Sequence, residues 1–301
     1  MESPSSAGGY LRATEHLVVA NCILRTSCNG FKFGTEAEGN LRNVSVTNCV
    51  ISKRDSGRRP LAGVALESVD GAHVDDIVIS NLSIEDALAP IFIRVGNRGR
   101  GMASPAPGSI TNVSIRNIVA TGASIASSIT AVKGGRIQNI EIDGLNVTAQ
   151  GGGVFVSLDV PERAASYPDA DMFGKLPAVA LYARGAEGFS IRSLTLSSNA
   201  ADGRPAIVLD EVTQLTLSEL QTSFSPQGQS LLAFRNVAGA LLYGNRWSSS
   251  ASFLSLSGER TKAIALRSND LTGVPHVFVS AADVPSYEVS VDAACEPSRL
   301  N

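Results

Sequence analysis

A short alternating segment recurs along this chain, and the repetition constrains the fold more than any other feature of the sequence. The copies mostly lie about 24 to 36 residues apart, a spacing expected of solenoid proteins. The clearest copies are HLVVANC from His16, NVSVTNC from Asn43, DIVISNL from Asp76 and NVSIRNI from Asn112. Weaker copies begin at Asn139, Gly188, Gln214, Gly239 and Ala263.

A second short alternating pattern lies between successive copies of the first. It begins with GFKFGTE from Gly30 and GVALESV from Gly63, and it returns from Ile91, Val154, Ala178, Ala206, Leu231 and Phe253. Two strands in each repeat, with almost no helical periodicity, predict an all-β fold. Stacked coils of this kind form a parallel β-helix, because a single repeat cannot bury its own apolar face.

The alternation within each copy predicts which side chains form the core. In NVSVTNC, Val44 and Val46 alternate with Ser45 and Thr47. Successive side chains of a strand point to opposite faces, so one pair points into the solenoid and the other points outward. We therefore expect an interior column of Val, Ile and Leu.

One asparagine holds the same position in four successive copies: Asn21, Asn48, Asn81 and Asn117. Each follows the apolar pair of its segment, where a bend leaves backbone groups without strand partners. An asparagine side chain satisfies such groups and tolerates turn conformations. We predict that these four side chains form a hydrogen-bonded ladder at a corner of the coil.

Composition narrows the possible partners and the number of domains. The 301 residues are 44% hydrophobic but only 5% aromatic, which suits short strands and turns, and we expect one β-helix domain over residues 1–301. The formal net charge of -3 argues against a nucleic-acid partner, which requires a basic face. No apolar run approaches the roughly 20 residues of a membrane span, so no membrane partner is expected.

The cysteines and histidines do not form a recognisable motif. Cys22 and Cys49 share one repeat position in neighbouring coils, which allows either a disulfide or two buried thiols. His16, His73 and His276 lack Cys or acidic neighbours at ligand spacing, so no metal site is predicted.

Several ordered blocks of the chain closely resemble the polygalacturonase family, glycoside hydrolase family 28. The specific segments are FGTE from Phe33, NRGRG from Asn97 and YPDADMFGKLPA from Tyr167. The resemblance implies a single-stranded, right-handed parallel β-helix of the pectin-lyase-like kind. It also implies hydrolysis of pectin-like polysaccharides that contain uronic acids, with inversion, no cofactor, and a secreted or periplasmic location.

The family's catalytic carboxyl groups have no counterpart in this sequence. Inversion needs one carboxylic acid to protonate the leaving oxygen and one carboxylate to activate water. The family supplies them from an Asn-Thr-Asp segment and an Asp-Asp pair, and the opening of this chain resembles the part that follows that pair. The resemblance thus places the aspartates before Met1, and we expect a truncated member without its N-terminal coils and with little activity.

Two substrate-contacting positions also differ from the family. Asn29 stands opposite the family's histidine, and Glu67 stands opposite a lysine that would hold the substrate carboxylate. The sequence therefore leaves open which sugar the chain recognises.

A basic cluster follows one of the second strands. Arg94, Asn97 and Arg98 leave this strand together, and Lys32 and Glu36 lie on an equivalent strand of an earlier coil. Guanidinium groups pair with carboxylates through two hydrogen bonds, which suggests uronate binding. The alternative is a structural role, in which the arginines satisfy carbonyl groups of the surrounding loops.

Residues 161–177 interrupt the repeat spacing, and we predict an inserted loop packed over the cleft or over a sheet face. Two functions remain open at this point. The chain is either a glycoside hydrolase of the polygalacturonase type or a noncatalytic β-helix that binds carbohydrate.

Overall fold

The structure, a computed structural model, describes residues 12–55, 57–249 and 251–295. These residues form an all-β fold without an α-helix, and the only helical elements among them are 3-10 turns at Ser286–Glu288 and Ala293–Cys295. The strands in chain order are β1 (Thr14–Ala20), β2 (Ile23–Arg25), β3 (Asn29–Phe33), β4 (Leu41–Ser52), β5 (Ala62–Ser68), β6 (His73–Glu85), β7 (Ala89–Val95), β8 (Ser109–Ala123), β9 (Ser127–Ala131), β10 (Arg136–Ala149), β11 (Leu181–Arg184), β12 (Ala186–Arg192), β13 (Thr195–Ser198), β14 (Ile207–Asp210), β15 (Thr213–Ser218), β16 (Gln221–Thr222), β17 (Leu232–Arg235), β18 (Ala238–Tyr243), β19 (Leu254–Ser257), β20 (Lys262–Arg267), β21 (Phe278–Ser280) and β22 (Val289–Val291).

The strands belong to two sheets, and every registered strand pair in the described part of the chain is parallel. The large sheet has 13 strands and follows the order β1-β4-β6-β8-β10-β12-β15-β18-β20-β22, with β2, β13 and β16 beside this path. The small sheet has nine strands in the order β21-β19-β17-β14-β11-β9-β7-β5-β3. The chain thus passes back and forth between the sheets, as the two alternating sequence patterns predicted.

The apolar core lies between the two sheets. Val44 and Val46 of β4 are buried in the same cluster as Val64 and Leu66 of β5. Ser45 and Thr47 alternate with the two valines and are partly exposed. The predicted inward and outward faces are therefore confirmed for this segment.

The predicted asparagine ladder is present. Asn48 Nδ2 donates to Asn21 Oδ1 at 3.4 Å, Asn81 donates to Asn48 at 3.1 Å, and Asn117 donates to Asn81 at 3.1 Å. All four residues have φ between 52° and 57°. Asn adopts this left-handed conformation more readily than most residues, because its short side chain can form hydrogen bonds with nearby groups.

A second bend occurs earlier in the same strands, and the sequence reasoning missed it. Left-handed φ values of 53° to 56° recur there. Asn139 Nδ2 donates to Asn112 Oδ1 at 3.0 Å, so this bend also has an amide contact. The residues at this bend are His16, Asn43, Asp76, Asn112 and Asn139.

The four cysteines are free, so Cys22 and Cys49 are not joined by a disulfide. Cys49 is buried in the core cluster, and Cys22 packs against that cluster. The described residues contain no group of three His, Cys, Asp or Glu side chains placed to hold a metal ion. No helix in residues 12–55, 57–249 and 251–295 is long and apolar enough to cross a membrane.

One predicted strand is absent. The segment from Val154 reads VFVSLDV but forms no strand, and β10 is followed directly by β11. Residues 150–180, which we call the strap, connect these two strands. The prediction was wrong here because the alternating pattern also suits an extended segment whose backbone bonds to side chains, as described below.

Candidate functional site

The strap lies across the outer face of the small sheet. Phe173 and Leu176 of the strap are buried against Phe92, Tyr182 and Val208, which point outward from this sheet. This apolar cluster is separate from the core between the sheets. The inserted loop expected at residues 161–177 thus lies within a longer segment that covers a sheet face.

A row of polar side chains runs across the small sheet, beside the apolar cluster. Successive strands place these residues at equivalent positions, because the register pairs each with the next. Five of the six are charged, and all but Arg235 are buried. The row consists of Glu67, Arg94, Thr130, Arg184, Asp210 and Arg235.

Three arginines of this row donate hydrogen bonds to alternate carbonyl groups of the strap. Arg235 Nη2 donates to the carbonyl of residue 158 at 3.0 Å, Arg184 Nη1 to that of residue 160 at 2.5 Å, and Arg94 Nη2 to that of residue 162 at 2.5 Å. These bonds supply donors to carbonyl groups of the strap that have no strand ladder to pair with.

Arg94 has the environment of the structural role, one of the two roles that the sequence left open. The residue is 1% exposed, and its guanidinium also donates to Thr130 Oγ1 at 3.2 Å and lies 5.4 Å from the ring centre of Phe173. Burial, reinforced by repulsion from Arg184, lowers the pKa of Arg94 to about 10. The strap therefore covers the guanidinium group of Arg94.

Arg98 is also engaged within the protein. Its Nε donates to Asp70 Oδ1 at 3.0 Å, and its Nη2 bonds to the other oxygen of the same carboxylate. This hydrogen bonding raises the pKa of Arg98. The guanidinium fork is thus occupied by an internal carboxylate, in the geometry that a uronate would otherwise adopt.

Lys32 and Glu67 form an ion pair at the first edge of the small sheet. Lys32 Nζ lies 3.0 Å from Glu67 Oε2, and Thr35 Oγ1 donates to the same oxygen at 2.8 Å. The Glu67 side chain is completely buried, whereas Lys32 retains 23% of its side-chain exposure. Glu67 Oε1 has no hydrogen-bond partner among the residues that the structure describes.

This environment favours the protonated form of Glu67. Burial raises its pKa to about 7, although Lys32 and Thr35 act in the opposite direction and Asp169 raises it further. Burial also raises the pKa of Asp169, whose carboxyl group is attracted by Lys32. Two carboxyl groups therefore share the charge of one lysine.

An exposed aromatic ring completes the group. Tyr167 of the strap is 54% exposed, and its ring centre lies 5.1 Å from Lys32 Nζ and 5.7 Å from Arg98 Cζ. Cations at such distances are attracted by the negative face of an aromatic ring. We call Lys32, Glu67, Tyr167 and Asp169 the lysine site.

The remaining predicted residues lie around this site. Glu36 is exposed and pairs with Arg100. Glu36 and Glu67 both line a cavity of about 220 Å³. Asn29 and Asn97 are half-buried, and within the described part of the chain the side-chain oxygen of each lacks a hydrogen-bond partner.

Sequence reasoning missed three contributors to the site: Thr35, Tyr167 and Asp169. The YPDAD run from Tyr167 offered a signal, because it places an aromatic ring and two acids inside an insertion. Its position over Lys32 follows from the path of the strap, which no local pattern specifies.

Comparisons with known proteins provide no assignment. No protein-family model matches the chain. No curated protein matches it either.

Proposed function

We propose that the chain is a glycoside hydrolase of the polygalacturonase type, which hydrolyses pectin-like polysaccharides containing uronic acids with inversion. In this proposal the two parallel sheets close into a single-stranded, right-handed β-helix of the pectin-lyase-like kind. Right-handed crossovers are strongly preferred between parallel strands, which supports that hand. The family resemblance described above supports the reaction and the substrate class.

The observation that carries the proposal is the placement of Lys32 beside the exposed ring of Tyr167, with Nζ 5.1 Å from the ring centre. A sugar that carries a carboxylate offers both a negative group for the lysine and an apolar ring face for the tyrosine. Lys32 is a point charge on a flexible stem, so its ammonium group can reach such a carboxylate.

A second candidate is a noncatalytic β-helix that binds acidic polysaccharide. It is favoured by the state of the carboxyl groups at the lysine site. Glu67 is fully buried, and Asp70 is locked to Arg98. An inverting mechanism needs a carboxylate that is free to activate a water molecule, whereas Asp70 is engaged by Arg98 and Glu67 by Lys32 and Thr35.

The two candidates can be separated by measuring binding and turnover on the same protein. Oligogalacturonide binding by calorimetry tests the lysine site, and release of reducing sugar from polygalacturonate tests hydrolysis. Lys32→Met and Tyr167→Ala should each weaken binding by roughly tenfold, since one favourable contact is worth about 1.4 kcal/mol. Arg58→Ala, on an exposed turn, is the matched control and should change neither quantity.

Each outcome has a distinct meaning. Turnover by this chain, or by a longer form that carries the expected Asp-Asp segment, supports the hydrolase, whereas binding without turnover by both forms supports the binding protein. Equal affinity for uronic and neutral oligosaccharides, or no effect of Lys32→Met, would overturn both candidates.

A further inference from the structure

Lys32 lies between an internal carboxyl group and an exposed aromatic ring, so its charge can pair either with the protein or with a ligand. Its ammonium group faces Glu67 Oε2 at 3.0 Å inside the protein and the exposed Tyr167 ring on the outside. An ammonium paired with an internal carboxylate offers little net charge to an external one. The protonation state of Glu67 therefore changes the net charge of the lysine site, to which Asp169 contributes a second carboxyl group.

The charged groups around Glu67 come from several elements. Lys32 belongs to β3, and Asp169 belongs to the strap. Arg94 is its register neighbour on β7, but its guanidinium is directed to Thr130 and to strap carbonyl groups. Lys32 is therefore the cation that governs this carboxyl group.

The charged side chains in the loops that follow β3, β5 and β7 form ion pairs with one another. Arg98 is paired with Asp70, and Arg100 is paired with Glu36. Neither arginine forms an ion pair with Glu67 in the structure. Protonation of Glu67 thus removes the negative charge that pairs with Lys32 and leaves the two arginine pairs unchanged.

The hydrogen bonding of Glu67 shows that its ionised form is poorly supported. One oxygen accepts bonds from Thr35 and Lys32, while the other is buried without a partner. A buried carboxylate oxygen that lacks a donor destabilises the charged form. Its pKa of about 7 agrees with this geometry.

We propose that Glu67 is the specificity-determining residue of the lysine site, which accepts a sugar carboxylate when Glu67 is protonated and excludes it when Glu67 is ionised. This inference rests on the proposed function, because it assumes that the site binds uronic acids. In the competent state, Lys32 pairs with the ligand carboxylate instead of with Glu67. Binding of each such ligand to a protein with ionised Glu67 takes up one proton from solvent, and no bond other than that O–H bond is formed.

The proposal fixes the pH dependence of binding. The apparent affinity is the intrinsic affinity multiplied by the fraction of protein in the competent state. With a pKa of about 7, that fraction falls by about tenfold between pH 6 and pH 8. The carboxylate of the ligand remains ionised throughout this range, because ordinary carboxyl groups titrate near pH 4.

The test is calorimetric titration of the full chain with an oligogalacturonide at pH 6, 7 and 8, in buffers of different ionisation enthalpy. The wild type should bind about tenfold more weakly at pH 8 than at pH 6 and should take up protons on binding. Glu67→Gln should bind with the same affinity at every pH and without proton uptake. Glu259→Gln removes an exposed carboxylate outside the lysine site and should leave the wild-type pH profile in place.

The variants also exclude other origins of a pH effect. Glu67→Gln retains His16, His73 and His276, so a dependence due to histidine would persist in it. If this variant does not fold, proton uptake by the wild type decides, and its absence overturns the inference.

Failure of the inference differs from failure of the proposed function. Binding that is independent of pH in the wild type overturns the role of Glu67 and leaves the proposed function standing. No binding at any pH, by the wild type or by Glu67→Gln, overturns the proposed function itself.

Discussion

Arg98 and Asp70 form a two-pronged ion pair at the end of β7, with Arg98 Nε 3.0 Å from Asp70 Oδ1 and Nη2 on the other oxygen. Asp70 Oδ1 also accepts the backbone N–H of Arg100 at 2.9 Å. The carboxylate is almost fully buried, at 1% exposure. Arg98 thus anchors the loop that follows the strand, because it pairs with a buried carboxylate.

We expect Arg98→Ala to lower the free energy of unfolding by about 3 kcal/mol, because it leaves the buried Asp70 carboxylate without its cation. Arg98→Lys should recover only part of this loss, since an ammonium cannot reproduce the planar fork. Urea denaturation measures both effects. Arg58→Ala is the control, and a loss as small as that of Arg58→Ala would contradict the anchoring role.

The strap should loosen when Arg235 is removed. Arg235 bonds both oxygens of Asp210, at 3.0 and 2.8 Å, and also contacts Asp159 and the carbonyl of Leu158 in the strap. We expect Arg235→Ala to speed amide exchange in residues 154–166 and to cost about 3 kcal/mol, because Asp210 is left buried and unpaired.

Hydrogen exchange with mass spectrometry measures this loosening. Arg246→Ala is the matched control, because its pair with Asp270 is exposed at 3.5 Å and such pairs contribute little. Unchanged exchange in the strap of Arg235→Ala would show that its apolar side chains alone hold it to the sheet.

The asparagine ladder can be tested at Asn81, which has φ of 55° and bonds Asn48 and Asn117. Asn81→Gly keeps the backbone conformation accessible and loses the two amide bonds, at a cost of about 1 kcal/mol. Asn81→Ala adds the strain of a left-handed Ala and should cost about 1 kcal/mol more.

Thermal or urea unfolding measures these differences, with Asn146→Ala as the control. Asn146 is an exposed asparagine of β10 and is not among the residues with positive φ. Equal stability of the Gly and Ala variants would contradict a role for the left-handed bend.

Glu67 should make the stability of the protein depend on pH between about 4.5 and about 7. Its pKa is higher in the folded than in the unfolded state, so the folded state holds the proton across this window while the unfolded state loses it. Stability therefore falls as pH rises through the window, by up to about 3 kcal/mol.

Denaturation of the wild type and of Glu67→Gln at pH 4.5, 6 and 8 measures this contribution. Relative to the wild type, the variant should gain stability as pH rises, because it carries no titrating group at this position. A constant difference between the two proteins across the series would contradict the raised pKa.

Local patterns in the sequence were sufficient for the parallel strands, the inward valines and the first asparagine ladder. Each depends on spacing along the chain: a period of two assigns Val44 and Val46 to the core, and equal positions in successive copies bring Asn48 and Asn81 together. The second bend was accessible to the same reasoning, since Asn112 and Asn139 also hold equivalent positions.

The same local reasoning failed at Val154, where the strap carries an alternating pattern without forming a strand. Alternation specifies an extended backbone. It does not specify whether the backbone carbonyl groups accept hydrogen bonds from a neighbouring strand or from arginine side chains. The carbonyl of Glu162 accepts its bond from Arg94, 68 residues away.

The repeat, and with it the strands and their buried faces, can be predicted from the amino-acid sequence, because these features follow from interactions between residues at fixed spacing. The partners of the charged side chains, in contrast, depend on how the whole chain folds. Arg94 and Arg98 were equally suited to a ligand or to an internal partner, and the folded chain supplied internal partners to both. Glu67 was one carboxyl group among many in the sequence, and its pKa is raised by burial even though Lys32 lowers it. Desolvation depends on everything packed around a side chain, which the neighbours in sequence do not reveal.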